Sequence, residues 1–190
     1  MMKIQTANQL GGRAIGSIFF AAFGALWLIL AFYAKEMLST LTISFVALGL
    51  AILLVGAFSL LRQAKRWPQV PDDPAIGRAF KWVNIVQWVT VAIVAFTFAK
   101  LHIDAYVISA ITAIVGLHMF PLARIFRYPM HYVTGGALVA WAVATALFVP
   151  TETMQGTAAL GTGVILWVAA GVTEAMALAA VRQSDETVVG

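Results

Sequence analysis

Residues 14–34 read "AIGSIFFAAFGALWLILAFYA", twenty-one consecutive positions without a charge. Crossing the hydrocarbon core of a bilayer as a helix takes about 20 mostly apolar residues. A membrane β-strand would instead alternate apolar and polar positions over about ten residues. This run does not alternate, so it reads as a spanning helix. Five more runs of the same kind follow, at about 39–61, 82–99, 104–123, 132–149 and 155–181. The expected fold is all-α, a polytopic membrane protein whose six transmembrane helices form a single bundle over residues 1–190.

Composition agrees. The chain is 62% hydrophobic and 11% charged, whereas a soluble domain is about 45–50% apolar and about 25% charged. A water-soluble protein of this size has too much surface to hide that much apolar area. The net charge of +4 does not point to nucleic acid, because no basic patch is interleaved with exposed aromatics. The basic residues lie between the hydrophobic runs, where they meet lipid headgroups. There is no cysteine, which excludes disulfides, thiolate catalysis and cysteine-ligated metal sites. The stretch "MMKIQTANQLGGRAIGS" is polar for too long to serve as a signal peptide, so the first run is expected to stay as a permanent helix.

The loop "RQAKRWPQVPDDPAIGRAFKW" is the only long connection, and its three prolines and Asp72-Asp73 interrupt helix. The other connections are short, so consecutive helices should pack as antiparallel neighbours. Lys3, Arg13, Arg62, Lys65, Arg66, Arg78, Lys81, Arg124, Arg127 and Arg182 all fall on one side of the six spans. Only Lys35 and Lys100 fall on the other. Positive residues favour the cytoplasm. Both termini are therefore expected inside, in a multi-pass protein of a bacterial inner membrane.

Polar groups inside the spans mark candidate functional positions, because a charge deep in a membrane costs about 2.5 kcal/mol or more. Glu174 lies eight residues before Arg182, roughly 12 Å from the cytoplasmic end. His118 and Gln87 each lie six residues from a basic anchor, roughly 9 Å deep. Asn84 is one turn nearer the cytoplasm, and Thr134 opens the fifth span on the same side. Asn84, Gln87, His118, Arg124 and Glu174 are thus expected to line one polar pocket opening to the cytoplasm. Glu174 should touch at least one of the other four, so that Glu174→Leu would strand a partner. Pro121 is expected to kink the fourth helix and free the Leu117 carbonyl near His118. Each residue also has a plainer reading. His118 can bond a backbone carbonyl, Arg124 and Arg127 can meet lipid phosphates, and Asn84 and Gln87 can join helices. His131 is expected near the interface in contact with water.

Aromatic and small residues carry further expectations. Trp27, Tyr33, Trp67, Trp82 and Tyr128 fall near predicted span boundaries, as interfacial belts do. Trp88, Trp141 and Trp167 are deeper and are expected to pack in the bundle or line a cavity. Ala21, Gly24 and Ala25 in the first span suit close helix packing. So do Ala159, Gly163, Ala170, Gly171 and Ala175 in the sixth.

No zinc-protease pair, nucleophile elbow, P-loop or dinucleotide-binding glycine pattern is present. No cofactor is implied. His118, His131 and Glu174 are the one combination with metal-ligand chemistry, two histidines and a carboxylate, but their spacing matches no motif. The segment "GLHMFPLARIFRYPMHYVTGG" at 116–136 resembles one in a group of uncharacterised small bacterial integral membrane proteins. The residues that carry the likeness are His118, Phe120, Pro121, Leu122, Ala123, Phe126, Pro129, Tyr132, Thr134 and Gly135. The resemblance implies a six-helix fold and weight on His118 and Pro121, and it brings no activity with it.

The leading functional expectation is a carrier or channel-like protein, its partners being membrane lipids and an unidentified small molecule or ion. The alternative is a non-catalytic module that packs with itself, as a homo-oligomer, or with another membrane protein. An enzyme acting on lipid is the third reading, and the sequence leans away from it because no nucleophile–base pair is visible.

Overall fold

A computed structural model describes residues 6–71 and 73–189, the last six by backbone alone. Lys3 and Asp72, both used above, lie outside the described residues. The described residues form six α-helices: α1 (Ala7–Ala34), α2 (Thr40–Ala64), α3 (Pro74–Lys100), α4 (Val107–Ile125), α5 (Met130–Phe148) and α6 (Thr151–Val189). A single 3₁₀ turn, Asp104–Tyr106, leads into α4. All six helices are long and apolar enough to cross a membrane. No strand occurs among the described residues.

Local chemistry sets the helix starts. The Thr6 side chain caps α1 by accepting from the Gln9 N–H. Ser39 and Thr42 form a reciprocal capping box at the start of α2. Asp73 accepts from the Ala75 N–H at 2.8 Å, and Pro74 takes the first helical position. That pair begins α3 two turns before the expected start at 82, so the long loop is partly helix. The helix ends are less conventional. Glu36, His102 and Arg127 all have positive φ, and each stands two residues past the end of α1, α3 or α4. Each closes a 6→1 bond across the helix end: Met37 N–H to the Phe32 carbonyl, Ile103 to Phe98, and Tyr128 to Ala123. This is the geometry that glycine ordinarily supplies.

α6 is the central element. It packs on α1, α2, α4 and α5, and its contact with α1 is the most extensive in the molecule. Gly24 of α1 meets Gly163 and the Trp167 ring of α6, so the expected small-residue faces do meet there. Ala175, included in that stripe, is instead exposed. The neighbours follow the short connections: α1 with α2, α3 with α4, α4 with α5, and α5 with α6. α3 is peripheral, touching α4 and its leading turn, and none of its residues is buried.

The basic residues sort to the two ends as the sequence predicts. The Ala7 N–H donates to the Pro68 carbonyl and Asn8 to Val70, which ties the start of α1 to the α2–α3 loop. Phe80 of α3 meets Phe126 of the α4–α5 turn, and Val181 packs with Leu10 and Leu60. At the opposite end Lys35 donates to Thr157, and Gln155 donates to the Asp104 carbonyl.

Candidate functional site

The central feature is a carboxylate. Glu174 is 7% exposed, and its Oε1 is buried without a hydrogen-bond partner. Helical register explains its position. Gly49, Leu53 and Gly56 of α2 face Trp167, Gly171 and Glu174 of α6, in a parallel pairing that advances one turn at a time. Gly56 leaves room for the carboxylate, because any side chain there would collide with Oε2. Glu174 faces the protein interior, as expected. Its expected polar contacts are absent: no hydrogen bond or ion pair links it to Asn84, Gln87, His118 or Arg124 among the described residues.

The other expected pocket residues lie elsewhere. Asn84 is on α3 and donates to the Phe80 carbonyl of its own helix at 2.8 Å, so it does not join helices. Gln87 is half-buried one turn beyond Val83, the α3 residue that packs on the Met119–Leu122 cluster. Arg124 is exposed at the end of α4. α3 makes no substantial contact with α6, so Asn84 and Gln87 have no route to Glu174. The five residues therefore do not line one pocket. α4 remains α-helical through Pro121 to Ile125.

His118 belongs to a second group. It stands on α4, and both of its ring nitrogens are buried and unpartnered. His131, expected in contact with water, is half-buried. Its Nδ1 is buried without a partner, and three rings surround it. Tyr128 and Phe20 meet it edge-to-face at 5.1 Å and 5.8 Å, and Phe126 meets it at 6.4 Å. Tyr128 is likewise not an interfacial-belt residue, since it is only 5% exposed. Its hydroxyl donates to Thr173 of α6 at 3.1 Å, and the Arg13 guanidinium of α1 lies over its ring at 5.1 Å. Trp88 corrects another expectation: it is 55% exposed on α3 and is not packed inside the bundle. Trp141 and Trp167 do pack inside, donating to the carbonyls of Ala158 and Ala21.

The two histidines and Glu174 do not assemble into a metal site, and no group of three His, Asp or Glu side chains does so among the described residues. A set of buried hydroxyls went unread in the sequence. Ser109 pairs with Thr145 at 3.0 Å, and Thr112 pairs with Thr162 at 2.8 Å. The signal was present as spacing: Ser109, Thr112 and Gly116 recur at three and four residues along α4, the face that meets α5 and α6. These hydroxyls satisfy one another and leave nothing free for a ligand, which sets them apart from Glu174. No match to this chain is found among family models, curated proteins or solved structures.

Proposed function

We propose that this protein is a small carrier or channel-like membrane protein in which the Glu174 carboxylate exchanges a proton or a small cation. One observation carries the reading: a carboxylate buried in the middle of a membrane-type bundle with an oxygen that has no partner. A structural carboxylate at such a position is normally paired, whereas one that must release and accept an ion cannot be permanently tied. The proposed pocket is smaller than the sequence suggests. It consists of Glu174 against Gly56 at the α2–α6 contact, with both termini on the cytoplasmic side. The test is proton flux in vesicles containing the full chain and an internal pH dye. Wild type should dissipate an imposed pH gradient. Glu174→Gln, which keeps the shape and removes the titrating group, should not. Flux surviving unchanged in Glu174→Gln, or no flux in either protein, defeats the proposal.

A second reading rests on α3. A helix with no buried residue is suited to a non-catalytic module completed by another copy of the chain. Cross-linking of Trp88→Cys in membranes would give a dimer on that reading and none on the first.

A further inference from the structure

We propose that His131 is an acid-released latch. Neutral, it holds the α4–α5 turn against α1 and α6; protonated, it leaves its ring enclosure and frees Tyr128.

The geometry makes His131 the keystone of a four-element junction. It stands on the first turn of α5. Phe20 reaches it from α1, and Phe126 and Tyr128 reach it from the turn. Tyr128 in turn holds α6 through Thr173 and α1 through Arg13. The position of the His131 ring and that of Tyr128 are therefore coupled.

A neutral imidazole suits this enclosure. With its proton on Nε2, the sealed Nδ1 is a lone pair that loses one hydrogen bond and carries no charge. The imidazolium does not suit it. Nδ1 would become a donor in a buried position where it has no hydrogen-bond partner. No titratable group on the surrounding elements is hydrogen-bonded to Nδ1. Arg13 is cationic, and His118 offers two nitrogens that are themselves sealed and titratable. Tyr128 contributes a hydroxyl already committed to Thr173. The neighbouring carboxylate, Glu174, is turned toward Gly56 of α2. Acid therefore supplies a charge that the enclosure does not compensate, and the ring relieves it by swinging out to water. Tyr128 then loses its edge-to-face neighbour, and the turn loosens from α1 and α6.

The inference is independent of the Glu174 proposal and is tested separately. The readout is amide hydrogen exchange at Tyr128 and His131, whose N–H groups bond the Ala123 and Tyr128 carbonyls. The full chain is held in phosphatidylcholine vesicles, and rates are corrected for intrinsic pH dependence. Between about pH 8 and about pH 5 the wild type should lose on the order of tenfold in protection at the turn. His131→Phe fills the enclosure with a ring that cannot titrate and should lose that response. His131→Asn is the second variant should His131→Phe fail to fold, and it should also be insensitive. Glu174→Gln should respond like wild type, which separates this latch from the ion-handling carboxylate. Equal protection at both pH values in the wild type would overturn the proposal. So would an acid response that survives in the His131 variants, or one that vanishes only in His118→Phe or Glu174→Gln.

Discussion

The Glu174 carboxylate lies directly against the backbone of Gly56, in the space a Cβ would occupy. That contact reverses one expectation. A paired Glu174 would strand its partner when replaced by leucine, but this one has no partner on Oε1. Burying an unsatisfied polar group costs about 1–3 kcal/mol. Glu174→Leu should therefore raise stability by about 1–3 kcal/mol, read as a higher midpoint of thermal unfolding in detergent, while abolishing proton flux. A lower midpoint would mean that Glu174 has a structural partner.

Gly56→Ala probes the same contact from the other side. The colliding atom is the far end of a flexible side chain, so the carboxylate can turn away. The stability loss should be small, about 1 kcal/mol. The displaced carboxylate should cut proton flux nearly as much as Glu174→Gln does. Wild-type flux in Gly56→Ala would separate the function from this contact.

The α4–α5 contact should respond more severely. A Cβ at Gly116 would sit 2.8 Å from the Gly135 carbonyl oxygen, and one at Gly135 would sit 2.6 Å from that of Gly116. Backbone cannot move aside as a carboxylate can, so the helices must separate. Gly116→Ala and Gly135→Ala should each cost about 2–3 kcal/mol. Gly136 has nothing within 4 Å, and Gly136→Ala should gain up to about 1 kcal/mol from helix propensity alone. Thermal unfolding of the three variants side by side checks the ranking.

What the sequence reveals follows from how each property is encoded. Six helices and the sorting of basic residues to two ends are properties of long runs, and both are legible. The Gly24–Gly163 approach is legible too, because small residues at helical spacing admit few other uses. The burial of Glu174 is legible, but direction around the axis, which decides its neighbours, is not. Asn84 and Gln87 are expected at a similar level, yet they stand on α3, which makes no substantial contact with α6. Tyr128 looks like an interfacial aromatic because its linear position is at a span end. Only the fold of the turn carries it under α6 to Thr173. Helix ends at Glu36, His102 and Arg127 are invisible for a related reason: no glycine announces them.

Two of those ends give a prediction of their own. φ values of 55° at Glu36 and 54° at His102 place side-chain-bearing residues in the left-handed region, where a Cβ costs about 1–2 kcal/mol. Glycine removes that cost, although it carries an entropy penalty of its own. Glu36→Gly and His102→Gly should each stabilise the protein by about 0.5–1 kcal/mol. The measurement is again thermal unfolding, and a loss at both sites would mean that the side chains contribute more than the strain removes.

Orientation in the membrane is the last prediction. The structure gathers Arg62, Lys65, Arg66, Arg78, Lys81, Arg124, Arg127 and Arg182 toward the end where α1 begins and the α2–α3 loop lies. Lys35 and Lys100 stand at the other, near Thr157 and Asp104. Basic residues are retained on the cytoplasmic side during insertion, so the end rich in them should be inside. The cysteine-free chain makes the test direct. Single cysteines replacing Arg66, Arg127 and Arg182 should be shielded from an impermeant thiol reagent added outside intact cells. Those replacing Lys35 and Lys100 should react. Each substitution removes one basic residue, and the remaining asymmetry is large enough to keep the orientation. Labelling of Lys35→Cys only after the cytoplasmic face is opened would invert the topology, and would place Glu174 nearer the outer surface.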